Sequence, residues 1–107
     1  MKYMISQPMA GKTIEQIRAD REGAVRLLEA QGHTVIDSVF AVPAPELIDN
    51  VALWYLAHSL MVMAKCDGVL FLPGWEEARG CRIEHEVADA YGLVTLMFSE
   101  LEEATHD

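Results

Sequence analysis

Residues 66–90 read CDGVLFLPGWEEARGCRIEHEVADA. Asp67-Gly68 is a turn signal, Val69-Leu70-Phe71-Leu72 an unbroken apolar run, and Pro73-Gly74 a stop. An apolar run of this length between two such signals reads as a strand buried on both faces, the kind that lies at the centre of a parallel sheet. Directly after it, Ile83, Val87 and Ala90 recur at helical spacing within 79–91, and Gly92 ends the run. The stretch is therefore a strand followed by a helix whose inward face is expected to carry Ile83, Val87 and Ala90.

The chain on either side repeats this alternation. Downstream, 93–97 (LVTLM) reads as another strand, and the acidic segment 99–107 as a short terminal helix or a tail. Upstream, 2–6 (KYMIS) is a short β run ended by SQPMAG. Thr13 and Gln16 have the spacing of a capping box, and Ile14, Ile17, Ala24 and Leu28 keep a helical period until Gly32, which predicts a helix over 14–31. Residues 34–39 read as a second strand, and Pro43 and Pro45 stop any regular element from following at once. From Glu46 to Lys65 there is no Gly or Pro, so one helix, or two meeting near Asn50, is expected there. Strand and helix in strict alternation imply an α/β fold: a Rossmann-like or flavodoxin-like three-layer sandwich with a parallel sheet of four or five strands, residues 1–107 forming a single domain.

Composition narrows the partners. Seventeen acidic residues oppose eight basic ones in 107, a formal charge of −9. Without a basic cluster, such a chain repels phosphate backbones and anionic lipid, so neither a nucleic acid polymer nor a membrane is expected as a partner. The most apolar stretch, Val51 to Ala64, is about fourteen residues, short of the roughly twenty that span a bilayer. The start of the chain lacks the pattern of a secretory signal, which gives a cytoplasmic expectation. Cys66 and Cys81 form no CxxC pair and have no histidine at zinc spacing, so free thiols, no metal site and no cofactor are expected. The six methionines, Met61 and Met63 among them, read as core filler.

In parallel sheets of this kind ligands bind beyond the carboxyl ends of the strands. Two motifs fall there. SQPMAGKT, residues 6–13, sits where a phosphate-binding loop would, but Ser6 replaces the first glycine of that motif and Pro8 removes a backbone donor. Lys12 and Thr13 then read as ordinary helix-start residues, whereas Ser6, Gln7 and Gly11, with Pro8 and Met9 between them, are ligand candidates. In the second motif Glu84 shares a helical stripe with Gly80 and Ala88, small neighbours that leave room above its carboxylate. A carboxylate so placed suits nucleophilic attack on an anomeric carbon; on spacing alone, however, a helical glutamate is most often a solvated surface charge. Trp75, beside Gly74, suits either stacking on a base or plugging the end of the sheet. Arg79 suits a phosphate, or an ion pair with Glu76 or Glu77. His58 and Ser59 interrupt an apolar helix as a polar pair, and His85 is expected to be exposed.

The opening strand with SQPMAG and the block at 66–90 together resemble the small bacterial and phage domains related to nucleoside 2-deoxyribosyltransferases. The resemblance runs over nearly the whole chain in order. It implies a Rossmann-like fold, self-association as a homodimer or higher homo-oligomer, and a pocket for a nucleoside or nucleotide between the first loop and the loop after the third strand. It also implies that Glu84, in Gly-x-x-x-Glu-x-x-x-Ala, is the nucleophile in cleavage or exchange of the N-glycosidic bond of a 2'-deoxyribonucleoside or its 5'-monophosphate. Relatives commonly carry an Asp eight residues before the Asp that starts the third strand; here that place is Ser59, next to His58. They often carry Ser where this chain has Ala78. Glu84, Ser59 and His58 are thus the catalytic candidates, with Ser6, Gln7, Pro8, Met9, Gly11, Gly74, Trp75, Arg79 and Gly80 around the substrate. The loss at Ser59 favours the alternative of a non-catalytic nucleotide-binding or sensor module.

Overall fold

A computed structural model describes residues 1–36 and 46–104 of the chain. Its elements alternate as β1 (Lys2–Ser6), α1 (Ile14–Ala30), β2 (Thr34–Val35), α2 (Val51–Met63), β3 (Gly68–Phe71), α3 (Arg79–Ala90), β4 (Val94–Met97) and α4 (Phe98–Ala104). Among the described residues the sheet has four strands, all parallel, in the order β2-β1-β3-β4. β3 pairs on both sides, with Tyr3 opposite Gly68 and Ser6 opposite Phe71 on one flank, and Gly68 opposite Val94 on the other. This is the central strand expected of VLFL, and all four residues of β3 are buried.

The pleat sends alternate side chains to two cores. Tyr3 and Ile5 of β1, Leu70 and Leu72 meet Ala24 and Leu28 of α1 and Leu101 of α4. Met4, Val69 and Phe71 face the other way, against Val62 and Met63 of α2 and Ala88 of α3. The result is helix, sheet, helix. The chain leaves β1 for β2 on one side and reaches β3 on the other, so the connections that follow β1 and β3 lead to helices on opposite faces of the sheet, the topological position at which such sheets bind ligands.

Local chemistry sets most boundaries. At the start of α1 the Thr13 hydroxyl accepts from the Gln16 N–H while the Gln16 amide oxygen accepts from the Thr13 N–H, the reciprocal box read from the sequence. Gly74 has φ +89°, a left-handed conformation that lets the chain turn sharply from β3 into the 3-10 turn Trp75–Glu77. Gly68 is set by space instead: a Cβ there would lie 2.6 Å from the Tyr3 ring and 2.9 Å from the Val94 carbonyl oxygen.

Several boundaries differ from the sequence expectation. The segment from Glu46 is not one long helix: 46–49 form turns and a bend, and α2 begins after Asn50, whose side-chain oxygen accepts from the Leu53 N–H. This cap outweighs the helix propensity of the residues before it. β2 is two residues long, and Asp37 to Val39, with the loop containing Pro43 and Pro45, lies outside the described residues. The C-terminal acidic segment does form a helix, starting at Phe98. Met4 and Met63 fill the core as expected, but Met1, Met9 and Met61 are exposed. No helix among the described residues is long and apolar enough to cross a membrane.

Candidate active site

Glu84 is the sixth residue of α3 and belongs to that helix's buried face, with Cys81 and Ala88. Of the residues expected to point inward, Ile83 and Val87 are only half-buried and Ala90 is exposed. Small side chains explain the exchange, since Cys81 and Ala88 let the helix backbone settle close on β3 and β4 where Ile83 and Val87 would hold it away. Glu84 is therefore carried inward and is only 9% exposed, which overturns the reading of it as a solvated surface charge.

Its hydrogen-bond partner among the described residues comes from 78 positions away. Ser6, the last residue of β1, donates its hydroxyl to Glu84 Oε1 at 3.4 Å. Ser6 is itself buried, and by the pleat it lies on the same face as Met4. Burial raises the Glu84 carboxyl pKa to about 7, against an opposing contribution from the Ser6 hydroxyl. The same hydroxyl faces the Cys81 thiol, whose pKa burial also pushes up, with Ser6 opposing and Glu84 adding to the rise. Ser6, Cys81 and Glu84 thus form one buried polar cluster at the carboxyl end of the sheet. Cys81 was open to detection from the sequence, because it lies three residues before Glu84 and so on the same helical stripe.

The other residues of the first loop divide. Gln7 is buried, and its amide nitrogen donates to the Ile17 carbonyl at 3.1 Å. A carbonyl can only accept, so this bond fixes the amide and leaves Oε1 without a partner among the described residues. Gln7 therefore ties the loop to α1. Pro8 is half-buried, and Met9 and Gly11 are exposed. Lys12 pairs with Asp20 at 3.2 Å and Thr13 caps α1, the ordinary helix-start roles.

Trp75 packs on Phe71, with ring centroids 5.2 Å apart, and its ring is stacked by His85 at 4.5 Å and 19°. His85 also meets Phe71 edge-on. It is half-buried rather than exposed as expected, because the indole covers it. With one face of Trp75 taken by His85, a ligand ring has only the opposite face to use. Arg79 and Gly80 are exposed at the start of α3, and a Cβ added to Gly80 would meet nothing within 4 Å. It is Arg82 that closes the turn, donating to the Glu76 carbonyl at 2.9 Å. On α2, His58 stacks on Trp54 with rings parallel to within 2°, and its Nε2 has no hydrogen-bond partner among the described residues. Ser59 is half-buried beside it, and neither hydrogen-bonds to Glu84. Two clefts, of about 370 and 440 Å³, share Pro73 and Phe98; the larger also borders Trp75, and Glu84 lines neither.

A family model described as "Domain of unknown function (DUF4406)" matches residues 1–97. No curated protein matches the sequence. Among solved structures, a 2-deoxyribosyltransferase from the psychrotolerant bacterium Bacillus psychrosaccharolyticus is similar, with a TM-score of 0.66 and 17% identity over 91% of this chain and 71% of that one. At that identity the likeness is one of fold, and it agrees with the resemblance carried by SQPMAG and the block at 66–90.

Proposed function

The chain belongs to the DUF4406 family, and from that membership and the fold of a 2-deoxyribosyltransferase we propose that it cleaves or exchanges the N-glycosidic bond of a 2'-deoxyribonucleoside or its 5'-monophosphate. The observation that carries this reading is Glu84, a carboxylate withdrawn from water at the carboxyl end of a parallel sheet and held by the hydroxyl of a neighbouring strand.

In the first step a Glu84 carboxylate oxygen bonds to C1' of the sugar as the bond from C1' to the base nitrogen breaks, and the departing base takes the bonding pair. Positive charge develops on the sugar in the transition state, and a desolvated carboxylate stabilises it more than a hydrated one would. In the second step water, or the nitrogen of an incoming base, attacks C1' and frees Glu84. Ser6 orients the carboxylate. The loop from Gln7 through Pro8, Met9 and Gly11, with Gly74, Arg79 and Gly80, surrounds the sugar and any 5'-phosphate, and the face of Trp75 away from His85 takes the base. His58, beside Ser59, is the nearest match in the sequence to an acid for the leaving base.

A nucleophile must be ionised, so kcat/KM should rise with pH through about 7, the value to which burial brings Glu84. The test is chromatography of deoxyribonucleosides and their 5'-monophosphates after incubation with the protein, with and without an acceptor base. Free base should appear with the native chain and fall by about 10³-fold or more with Glu84→Gln. A new nucleoside that needs the acceptor identifies a transferase. One observation favours a second reading, a nucleotide-binding module without turnover: Ser6 is the only hydrogen-bond partner of Glu84 among the described residues, and no second carboxylate is joined to it. Thermal stabilisation by a nucleotide that is never turned over would select that reading.

A further inference from the structure

The larger of the two clefts, about 440 Å³, lies beyond the carboxyl ends of β3 and β4. Its volume falls within the range of small-molecule sites, about 300–1,000 Å³. Phe71, Trp75, Met97 and Phe98 give it apolar, largely aromatic walls, to which Glu76 and Ser99 add a carboxylate and a hydroxyl. Such walls suit a flat heteroaromatic ring. His85 stacks on the indole of Trp75 without lining the cleft, and so braces that ring from outside it. Phe71 pairs in the sheet with Ser6, the residue that donates to Glu84. The cleft therefore begins one strand spacing, about 4.8 Å, from Ser6.

The polar groups at this cleft are one-sided. Glu76 is the one charged residue among those described that line it. Arg82 holds the Glu76 backbone carbonyl, but the Glu76 carboxylate makes no hydrogen bond or ion pair among the described residues. Glu100, by contrast, already accepts from the Met97 N–H. A carboxylate accepts and has nothing to donate, so against a ring edge it rewards an N–H and repels a carbonyl oxygen. The Ser99 hydroxyl can do either and does not discriminate. We propose that this cleft takes the nucleobase and that Glu76 selects bases with an exocyclic amino group over those with a carbonyl in its place: adenine over hypoxanthine, cytosine over uracil. This selection rests on the reading of the site as one for a nucleoside, in which Trp75 holds the base, and adds which base. Glu76 is exposed and keeps part of its hydration, so the preference is about tenfold and not larger.

Binding of the free bases tests this separately from turnover. The chain has two tryptophans, so in Trp54→Phe the emission reports Trp75 alone. Adenine should quench it with a Kd about tenfold below that of hypoxanthine, and cytosine should stand in the same relation to uracil. Calorimetry on the native chain should return the same ratios. Glu76→Gln, whose amide both accepts and donates, should bring each ratio to within about twofold. Glu77→Gln, next to it but outside the cleft, should leave both ratios as they are. Glu76 and Glu77 are exposed, so neither exchange disturbs the fold. Equal affinities for the two members of each pair, or a preference that survives Glu76→Gln, overturn the proposal and leave the nucleoside reading standing. Quenching by none of the four bases overturns both. A preference of the expected sign in a protein that turns over no deoxyribonucleoside keeps the base site and removes the catalysis.

Discussion

The Ser6 hydroxyl reaches Glu84 at 3.4 Å, well beyond the usual O–H···O separation of about 2.7–2.8 Å. A bond this long opposes the effect of burial without cancelling it, and the carboxyl stays at about 7. Ser6→Ala removes the hydroxyl that favours the ionised form, the only one to do so among the described residues, so the Glu84 pKa should climb further. If Glu84 is the nucleophile, the rising limb of the pH–rate profile moves to higher pH, with kcat/KM up to about tenfold lower at pH 7 and near the native value at pH 9. An equal loss at every pH would instead mean that Ser6 touches substrate alone. The sequence carried half of this arrangement. Gly80 and Ala88 flank Glu84 at helical spacing, which marks the carboxylate out, but its burial depends on a strand residue 78 positions away, and no local pattern reports that.

The placement of α3 rests on which of its faces meets the sheet. The large apolar residues Ile83 and Val87 suggest one face, and the smaller Cys81 and Ala88, with Glu84, form the one that is buried. Periodicity finds a helix and its length; choosing between adjacent stripes needs the shape of the surface beneath. β1 and α1 were legible because their signals are local: an apolar run closed by SQPMAG, and a capping box at Thr13 and Gln16. Thr13→Ala should accordingly cost about 1 kcal/mol, measured by urea denaturation. The start of α2 was not legible from the absence of Gly and Pro, which says where a helix is allowed and not where Asn50 caps it. Gly68 makes the opposite kind of demand, since β1 and β4 both close on it. In Gly68→Ala the new Cβ would meet the Val94 carbonyl at 2.9 Å, and that oxygen cannot retreat without straining the pairing of β3 with β4. The expected loss is about 2 kcal/mol, or on the order of 10 °C in Tm by calorimetry. A Tm within a degree of the native value would show that the strands yield.

Stability of the folded chain should depend on pH through the same carboxylate. Glu84 has an ordinary pKa of 4.5 and about 7 when folded, so between these values the folded chain binds more protons than the unfolded one. This contribution to stability is fully present below pH 4.5, is lost as pH rises toward 7, and stays lost above; the gap corresponds to about 3 kcal/mol. Glu84→Gln keeps the shape without the charge, so it should match the native chain near pH 4.5 and exceed it by up to about 3 kcal/mol at pH 8. Denaturation curves of both proteins at the two pH values check this, and a pH-independent difference would place the cause elsewhere. A buried acid has one more consequence, for anyone breeding the protein toward heat resistance. Repeated rounds of heating and survival at neutral or alkaline pH, with no demand for turnover, would reward replacement of Glu84 early. The hardiest descendants would keep the fold intact and lose the group on which the chemistry is proposed to depend, so a screen for robustness has to be run against substrate from its first round.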